Sequence, residues 1–184
     1  MGYAIAAECV KQGAKVSLVS GPVNIDAPVG VELFAVKSAL EMHQICVQEF
    51  ADADLALMAA AVADYRPKDL AEQKIKKSDA ELSITFVKNP DILADLGAAK
   101  KKGQIVGGFA LETENEVENA KQKLHNKNAD FIVMNSLRDE NSAFGYDTNK
   151  ISVIHASGEV KSFELMTKKE AAVHIIREAA VLIK

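Results

Sequence analysis

Lysine is the residue type most able to do chemistry in this chain. Lys68, Lys74, Lys76 and Lys77 crowd with Arg66 into one short stretch of a sequence whose formal net charge is −4. Ammonium groups neutralise phosphate or carboxylate as flexible point charges. The cluster is therefore either a solvated surface loop or an anion site. Asp64 just precedes it, where a carboxylate can hold a ribose or base edge, bind a magnesium ion, or cap the loop. Lys123 and Lys127 stand four apart on one face of an expected helix, a spacing at which like charges repel slightly. Asn119 and Lys123 occupy the places four residues upstream, so neither lysine has an acid there. Either solvent screens the pair or an anionic ligand relieves it. Asn89-Pro90-Asp91-Ile92-Leu93 reads as a helix start, with Asn89 as N-cap and Pro90 at the first helical position; such a terminus also turns free N–H groups towards an anion. In Gly107-Gly108-Phe109 the glycines allow close backbone approach, and Phe109 either fills core, the commoner role for an isolated Phe, or stacks on a base.

These groups need elements to hold them at one place. Met1 to about Gln12 reads as a helix, with Gly13 as a left-handed stop. Ala14–Ser20 and Val31–Val36 read as strands around a loop at Asn24–Gly30. Ser38 caps a helix to Phe50, and Glu41 completes a capping box. Leu55–Val62 is an unbroken apolar run, expected as a strand buried on both faces. Tyr65–Lys77 reads as loop, Glu81–Val87 as a strand, and Ile105–Ala110 as another. Thr113, with Glu116, caps a helix from Glu114 to about Asn126. Phe131–Asn135 is a short buried strand; Lys150–His155 and Val160–Phe163 form a hairpin around Ser157-Gly158. An amphipathic helix runs from Thr167 towards Lys184.

Strands alternating with helices predict a Rossmann-like α/β fold, a doubly wound and mostly parallel sheet with an antiparallel hairpin near its C-terminal end. In such sheets ligands gather beyond the C-terminal ends of the strands. Asp64–Lys77, Asn89–Leu93, Phe109–Thr113 and Asn135 all fall there. The 184 residues suit a single domain spanning the whole chain. The first helix has no capping residue in front of it, and an α/β domain ordinarily opens on a strand, so a first strand and its turn are expected ahead of Met1.

Several functions are set aside on composition and spacing. A net charge of −4 lacks the large basic surface that nucleic acid requires. No apolar run approaches the roughly 18 residues of a membrane span, and no signal peptide is visible. Cys9 and Cys46, far apart and each within an expected helix, form neither a zinc spacing nor a disulfide framework; a reducing, cytoplasmic compartment is expected. No G-x-G-x-x-G or Walker P-loop occurs. Tyr146 and Lys150 have the Tyr-x-x-x-Lys spacing of short-chain dehydrogenases, but Asp147-Thr148-Asn149 between them is turn-forming. His43, His125, His155 and His174 show no metal-ligand spacing, so metal ligands stay unassigned. Glu112 and Glu114 are not a persuasive acid–base pair.

Five segments in order resemble one family: Ala59-Ala60-Ala61-Val62-Ala63-Asp64-Tyr65-Arg66-Pro67, Lys74-Ile75-Lys76-Lys77, Val87-Lys88-Asn89-Pro90-Asp91-Ile92-Leu93, Gly108-Phe109-Ala110-Leu111-Glu112-Thr113 and Asp130-Phe131-Ile132-Val133-Met134-Asn135. Together they resemble bacterial phosphopantothenoylcysteine synthetase (phosphopantothenate–cysteine ligase), from Met1 to the closing helix. The resemblance implies a CTP- and magnesium-dependent ligase of coenzyme A biosynthesis, which activates 4′-phosphopantothenate as an acyl-cytidylate and joins it to cysteine. It implies Lys74 as the catalytic lysine, on a mobile flap. Met58, Ala59, Ala60, Asp64, Lys74, Pro90, Asp91, Ile92, Leu93, Phe109, Lys123 and Lys127 take nucleotide-binding roles, and Ala60 and Ala61 substrate-binding ones. It further implies a homodimer through the region from Asn135 to the hairpin, and a flavin-dependent decarboxylase often fused in front. The family's first strand, Gly-rich turn and Ser-Ser-Gly-Lys stretch have no counterpart here, so an N-terminally truncated domain is expected. The alternatives are an NAD(P)-binding Rossmann oxidoreductase, and an inactive fragment that keeps only nucleotide binding and dimerisation.

Overall fold

Phe131–Ser136 forms a strand in which all six residues are buried, because its side chains alternate between two apolar layers. Ile132 and Met134 pack with one cluster and Phe131 and Val133 with the other. The computed structural model describes residues 1–69, 71, 73–74, 82–112, 114–136 and 146–183, and for Glu112 the backbone alone. In chain order the elements are α1 (Gly2–Lys11), β1 (Val16–Ser20), β2 (Val31–Ala35), α2 (Ala39–Phe50), β3 (Leu55–Met58), β4 (Tyr65–Pro67), β5 (Phe86–Lys88), α3 (Ile92–Ala99), β6 (Ile105–Glu112), α4 (Glu116–Asn126), β7 (Phe131–Ser136), β8 (Thr148–His155), β9 (Val160–Thr167) and α5 (Lys168–Ala180).

The main sheet has five strands in the order β3-β6-β7-β8-β9. β3, β6 and β7 run parallel, while β8 and β9 pair antiparallel as the expected hairpin. α1 and α5 cover one face, and α2, α3 and α4 the other. β1 and β2 form a separate parallel pair, and β4 with β5 a short antiparallel ribbon. The fold is thus the mixed α/β, mostly parallel arrangement that the alternation of elements predicts.

Several boundaries differ from expectation, each for a local reason. Ser38 caps α2 by accepting from Glu41 N, but the Glu41 carboxylate accepts from Lys37 N, one residue ahead of the capping-box position. The expected loop after Asp64 contains β4, whose partner β5 supplies hydrogen bonds that no local pattern reveals; Pro67 sits in a two-stranded ribbon, where a missing N–H is tolerated. Glu81–Val87 shortens to β5, with Leu82–Thr85 outside regular structure. Asn89 is not the cap of α3: Asp91 is, its carboxylate accepting from Ala94 N at 3.0 Å. β6 continues past Ala110 to Glu112, and α4 starts at Glu116 behind Asn115, which is left-handed and makes no side-chain cap. Glu116 instead accepts a hydrogen bond from the Ser136 hydroxyl. Thr113, the expected cap, lies outside the described residues. Thr148 and Asn149 belong to β8 rather than to a turn, so Tyr146 and Lys150 still share no helix face.

Candidate functional site

Parallel strands deliver their C-terminal ends to one rim, and helix N-termini meet them there. α3 reaches this rim through two glycines that leave no room for a side chain. A Cβ on Gly108 would lie 2.6 Å from Leu93 Cδ2, so Leu93 in the first turn of α3 beds directly on β6. A Cβ on Gly97 would lie 1.9 Å from the Lys127 carbonyl oxygen, so the end of α4 closes onto α3. Asn128, left-handed at φ 47°, donates from its side-chain amide to the Gly97 carbonyl at 2.7 Å and fastens that junction. The glycines of Gly107-Gly108 therefore admit protein side chains, and the strand does not end at them.

This packing brings Lys123 and Lys127 to the start of α3. Lys123 Nζ donates to the Phe109 carbonyl at 2.8 Å. Lys127 Nζ pairs with the Asp91 carboxylate, the same group that caps α3. The two cations thus neither repel unrelieved nor stand free: each has a protein acceptor at the rim. Burial alone pushes the Asp91 carboxyl up, but the Lys127 ammonium, the Ala94 N–H and the nearby Lys123 outweigh it and hold Asp91 below the usual carboxylate range. Phe109 is half-buried and packs with the α1/α5 cluster, in keeping with the core reading.

The loop after β3 forms the opposite lip. Ala60, Ala61, Ala63 and Asp64 are exposed, and Val62 is partly tucked in. Asn89 braces this lip. Its backbone N donates to the Asp64 carbonyl at 2.8 Å, and its side-chain amide donates to the Ala63 carbonyl at 2.8 Å. Its Oδ1 accepts from Arg66 Nη1 at 3.2 Å, and Arg66 also donates to the Lys88 carbonyl at 2.6 Å. Arg66 is therefore committed to the ribbon rather than held out as an anion-binding cation. Lys68 N donates to the Thr85 carbonyl at 2.9 Å, extending the β4–β5 ribbon outward. Lys74 is exposed beyond that ribbon, and no described contact links it to Lys123 or Lys127. Lys76 and Lys77 lie outside the described residues.

Every residue to which the resemblance gives a nucleotide or substrate role, Lys74 excepted, lines one cavity of about 2290 Å³. Sequence reasoning missed the Asn89 brace and the Gly97–Lys127 contact. Asn89 before Pro90 has the signature of a cap, and nothing local reveals its bonds to Ala63 and Arg66. Among the described residues no three His, Cys, Asp or Glu side chains gather as a metal site. His43 pairs with Asp95 and His155 with Glu178. No described helix is long and apolar enough to cross a membrane.

The sequence matches the family described as DNA/pantothenate metabolism flavoprotein C-terminal domain over residues 1–182. A cysteine/cysteine sulfinic acid decarboxylase from an unknown prokaryotic organism is 44% identical over the whole chain, which covers 51% of that protein. The coenzyme A biosynthesis bifunctional protein CoaBC of Bacillus subtilis (strain 168) is 38% identical, with 100% of this chain and 45% of that protein aligned. The chain spans about half the length of these curated relatives. A crystal structure of the C-terminal domain of a CoaBC protein superposes with a TM-score of 0.82 at 37% identity, covering 98% of this chain and 80% of the other.

Proposed function

We propose, from the premise that this chain belongs to the DNA/pantothenate metabolism flavoprotein C-terminal domain family, that it is the domain that ligates 4′-phosphopantothenate to cysteine with CTP. The observation that carries this reading is the rim at which Lys123, Lys127 and the capped start of α3 face the Met58–Asp64 lip across one cavity. A nucleoside triphosphate needs that combination: cations for the phosphates, free helix N–H groups, and an open lip for the sugar and base.

The chemistry follows from the weakness of a carboxylate as an electrophile. The 4′-phosphopantothenate carboxylate attacks the α-phosphorus of CTP, the bond to the β-phosphate oxygen breaks, and pyrophosphate leaves. The cysteine amine then attacks the acyl-cytidylate carbonyl; the amide forms, CMP departs and the amine loses a proton. Charge builds on phosphate oxygens in the first step, and fixed cations stabilise it. Lys123 and Lys127 hold the triphosphate, with Lys127 exchanging its Asp91 carboxylate for phosphate. Lys74 is the catalytic lysine, brought in from the segment beyond β4. The backbone of Ala60 and Ala61 lines the path of the phosphopantothenate chain, and Pro90–Leu93 with Met58, Ala59, Asp64 and Phe109 surround the nucleotide. Asp64, an exposed carboxylate on the lip, would hold a magnesium ion beside the triphosphate, where the ion would neutralise phosphate charge. The same reading makes the protein a homodimer through β8, β9 and the segment before them, and one half of a longer polypeptide whose other half is a flavin-dependent decarboxylase.

Pyrophosphate release on mixing the chain with CTP, 4′-phosphopantothenate, cysteine and magnesium tests the proposal. Release that requires CTP and 4′-phosphopantothenate, and that continues beyond one equivalent only when cysteine is present, is expected, and Lys74→Ala is expected to abolish product while leaving the circular dichroism spectrum unchanged. Titration with CTP, ATP and NADPH separates the ligase from a dinucleotide oxidoreductase. Tight NADPH binding without any response to CTP overturns the assignment.

A further inference from the structure

α4 turns a polar row towards the cavity. Asn119, Gln122, Lys123, Asn126 and Lys127 stand three or four apart, the spacing that puts side chains on one helix face, and all five line the cavity. The acids of the helix, Glu116 and Glu118, do not. The row therefore carries ammonium groups and carboxamides but no carboxylate of its own. Side chains at this spacing are neighbours, about 5–6 Å apart at Cβ, so Asn126 adjoins both Gln122 and Lys123.

Gln122 and Asn126 differ from the other polar side chains at this rim in being uncommitted. Lys123 donates to the Phe109 carbonyl, and Lys127 pairs with Asp91. The Asn119 amide donates to the Glu114 carbonyl at 2.8 Å, and the amides of Asn89 and Asn128 are likewise held by the Ala63 and Gly97 carbonyls. The carboxamides of Gln122 and Asn126 make no hydrogen bond among the described residues, and both residues are exposed. Each brings two N–H donors to a place beside two cations. Lys123 is half-buried and reaches back to β6, so the two carboxamides occupy the solvent side of the row.

We propose that Gln122 and Asn126 bind the β- and γ-phosphates of the nucleoside triphosphate and hold them as pyrophosphate leaves. The identity of the anion rests on the ligase reading; the availability of the donors rests on α4 alone. The bond that breaks joins the α-phosphorus to the β-phosphate oxygen. The α-phosphate therefore stays at the strand ends, where the substrate carboxylate meets it, and the leaving group points outward to solvent. Lys123 stands at the inner end of that line and the two carboxamides at its outer end. A hydrogen bond from a carboxamide N–H to a phosphate oxygen is charge-assisted, yet it adds no positive charge. Lysines in both places would grip the more highly charged product harder and slow its departure. A nucleoside monophosphate does not reach these donors, so the row also selects a triphosphate over CMP.

Titration calorimetry on the full chain, with magnesium present throughout, uses inorganic pyrophosphate and CMP as separate probes. Gln122→Ala and Asn126→Ala each remove one carboxamide, and Gln122→Glu and Asn126→Asp keep the shape while replacing donors by a negative charge. Both positions are exposed, so an unchanged Tm is expected in all four. Each Ala variant is expected to bind pyrophosphate about tenfold more weakly, the loss of one hydrogen bond to a charged group. The acidic variants are expected to bind it more weakly still, with CMP binding unchanged throughout. Equal pyrophosphate binding by wild type and variants would mean a merely solvated helix face, and overturns the proposal. So does a wild-type chain that does not bind pyrophosphate, and so does an equal loss of CMP and pyrophosphate. The ligase reading is judged apart, by pyrophosphate release from CTP and 4′-phosphopantothenate. Variant-sensitive pyrophosphate binding without release sustains the diphosphate site and sinks the ligase; release with variant-insensitive binding does the reverse.

Discussion

Asp91 does two jobs, capping α3 and holding Lys127, and the two can be separated. Asn is as good a cap as Asp, so Asp91→Asn keeps the helix start and removes the ion pair. Because the Asp91 carboxyl is held below its ordinary value of 3.8, its ionic contribution is fully present above that value and lost as pH falls through the lower folded value. The stability difference between wild type and Asp91→Asn, measured by urea unfolding from pH 7 downwards, is therefore expected to close in acid. A difference that persists at pH 2 would assign the effect to packing. On the proposed reading, Lys123→Ala and Lys127→Ala each remove a charge-assisted contact worth about 1.5 kcal/mol, so the KM for CTP rises about tenfold with the KM for cysteine unchanged. An effect confined to cysteine contradicts the assignment. Asn89→Ala removes the side-chain brace on the lip without touching the phosphates; a change in the CTP constant beyond that caused by lost stability, not rescued by Asn89→Asp, which keeps an acceptor for Arg66 but has no donor for the Ala63 carbonyl, is the signature of a positioning role. The convergence of Asp91 and Phe109 on one rim was legible in the sequence, because strand ends in parallel sheets share an edge; Lys123 joined them only through the family resemblance. The acceptors of the two lysines were not, because Asp91 and the Phe109 carbonyl reach them only through the turn of α4 onto α3. Lys74 is the contrasting case: its role rests on motif resemblance, since the described contacts do not join it to the rim.

At the level of elements, sequence periodicity succeeded where one element decides its own burial. β7 alternates between two apolar layers, and α5 opens with a full Thr167–Glu170 capping box. It failed where a distant partner decides: β4 exists because β5 lies across from it, and α3 is capped by Asp91 because Asn89 is drawn into bonds with the preceding loop. The α3–α4 junction belongs to the second class, since nothing near Gly97 indicates that a carbonyl from α4 will rest on it. Gly97→Ala forces that contact apart; overpacking of this kind costs about 1–3 kcal/mol, or a fall in Tm of several degrees at this size. The helices also govern thiol chemistry. Burial pushes the Cys46 thiol up to about 11, and burial with the Glu8 charge raises Cys9. Both cysteines are thus thiols at pH 8, and native protein is expected to react with a disulfide reagent far more slowly than protein unfolded in guanidinium. Fast native reaction at Cys46 would mean that α2 opens.

At the scale of the molecule the two sheets have unequal support. β6, β7 and β8 lie inside a five-stranded sheet and contribute fully buried side chains such as Phe131, Ile132 and Val153. Among the described residues β1 and β2 pair only with each other, and Leu33 is exposed on β2. What attaches this pair to the rest is helical: α1 packs on both α5 and β1, and α2 on both α3 and β1. Hydrogen bonds in a sheet interior open only when its core opens, whereas those of an isolated pair open with its own few contacts. The chain is therefore expected to unfold in two steps under native conditions. Amides of β1 and β2 should exchange through a sub-global opening of low free energy, while those of β7 exchange only through global unfolding. Native-state hydrogen exchange at increasing guanidinium resolves the two classes, because global opening depends steeply on denaturant and local opening does not. A single exchange free energy shared by β1, β2 and β7 would show that the helices alone make the two sheets one cooperative unit.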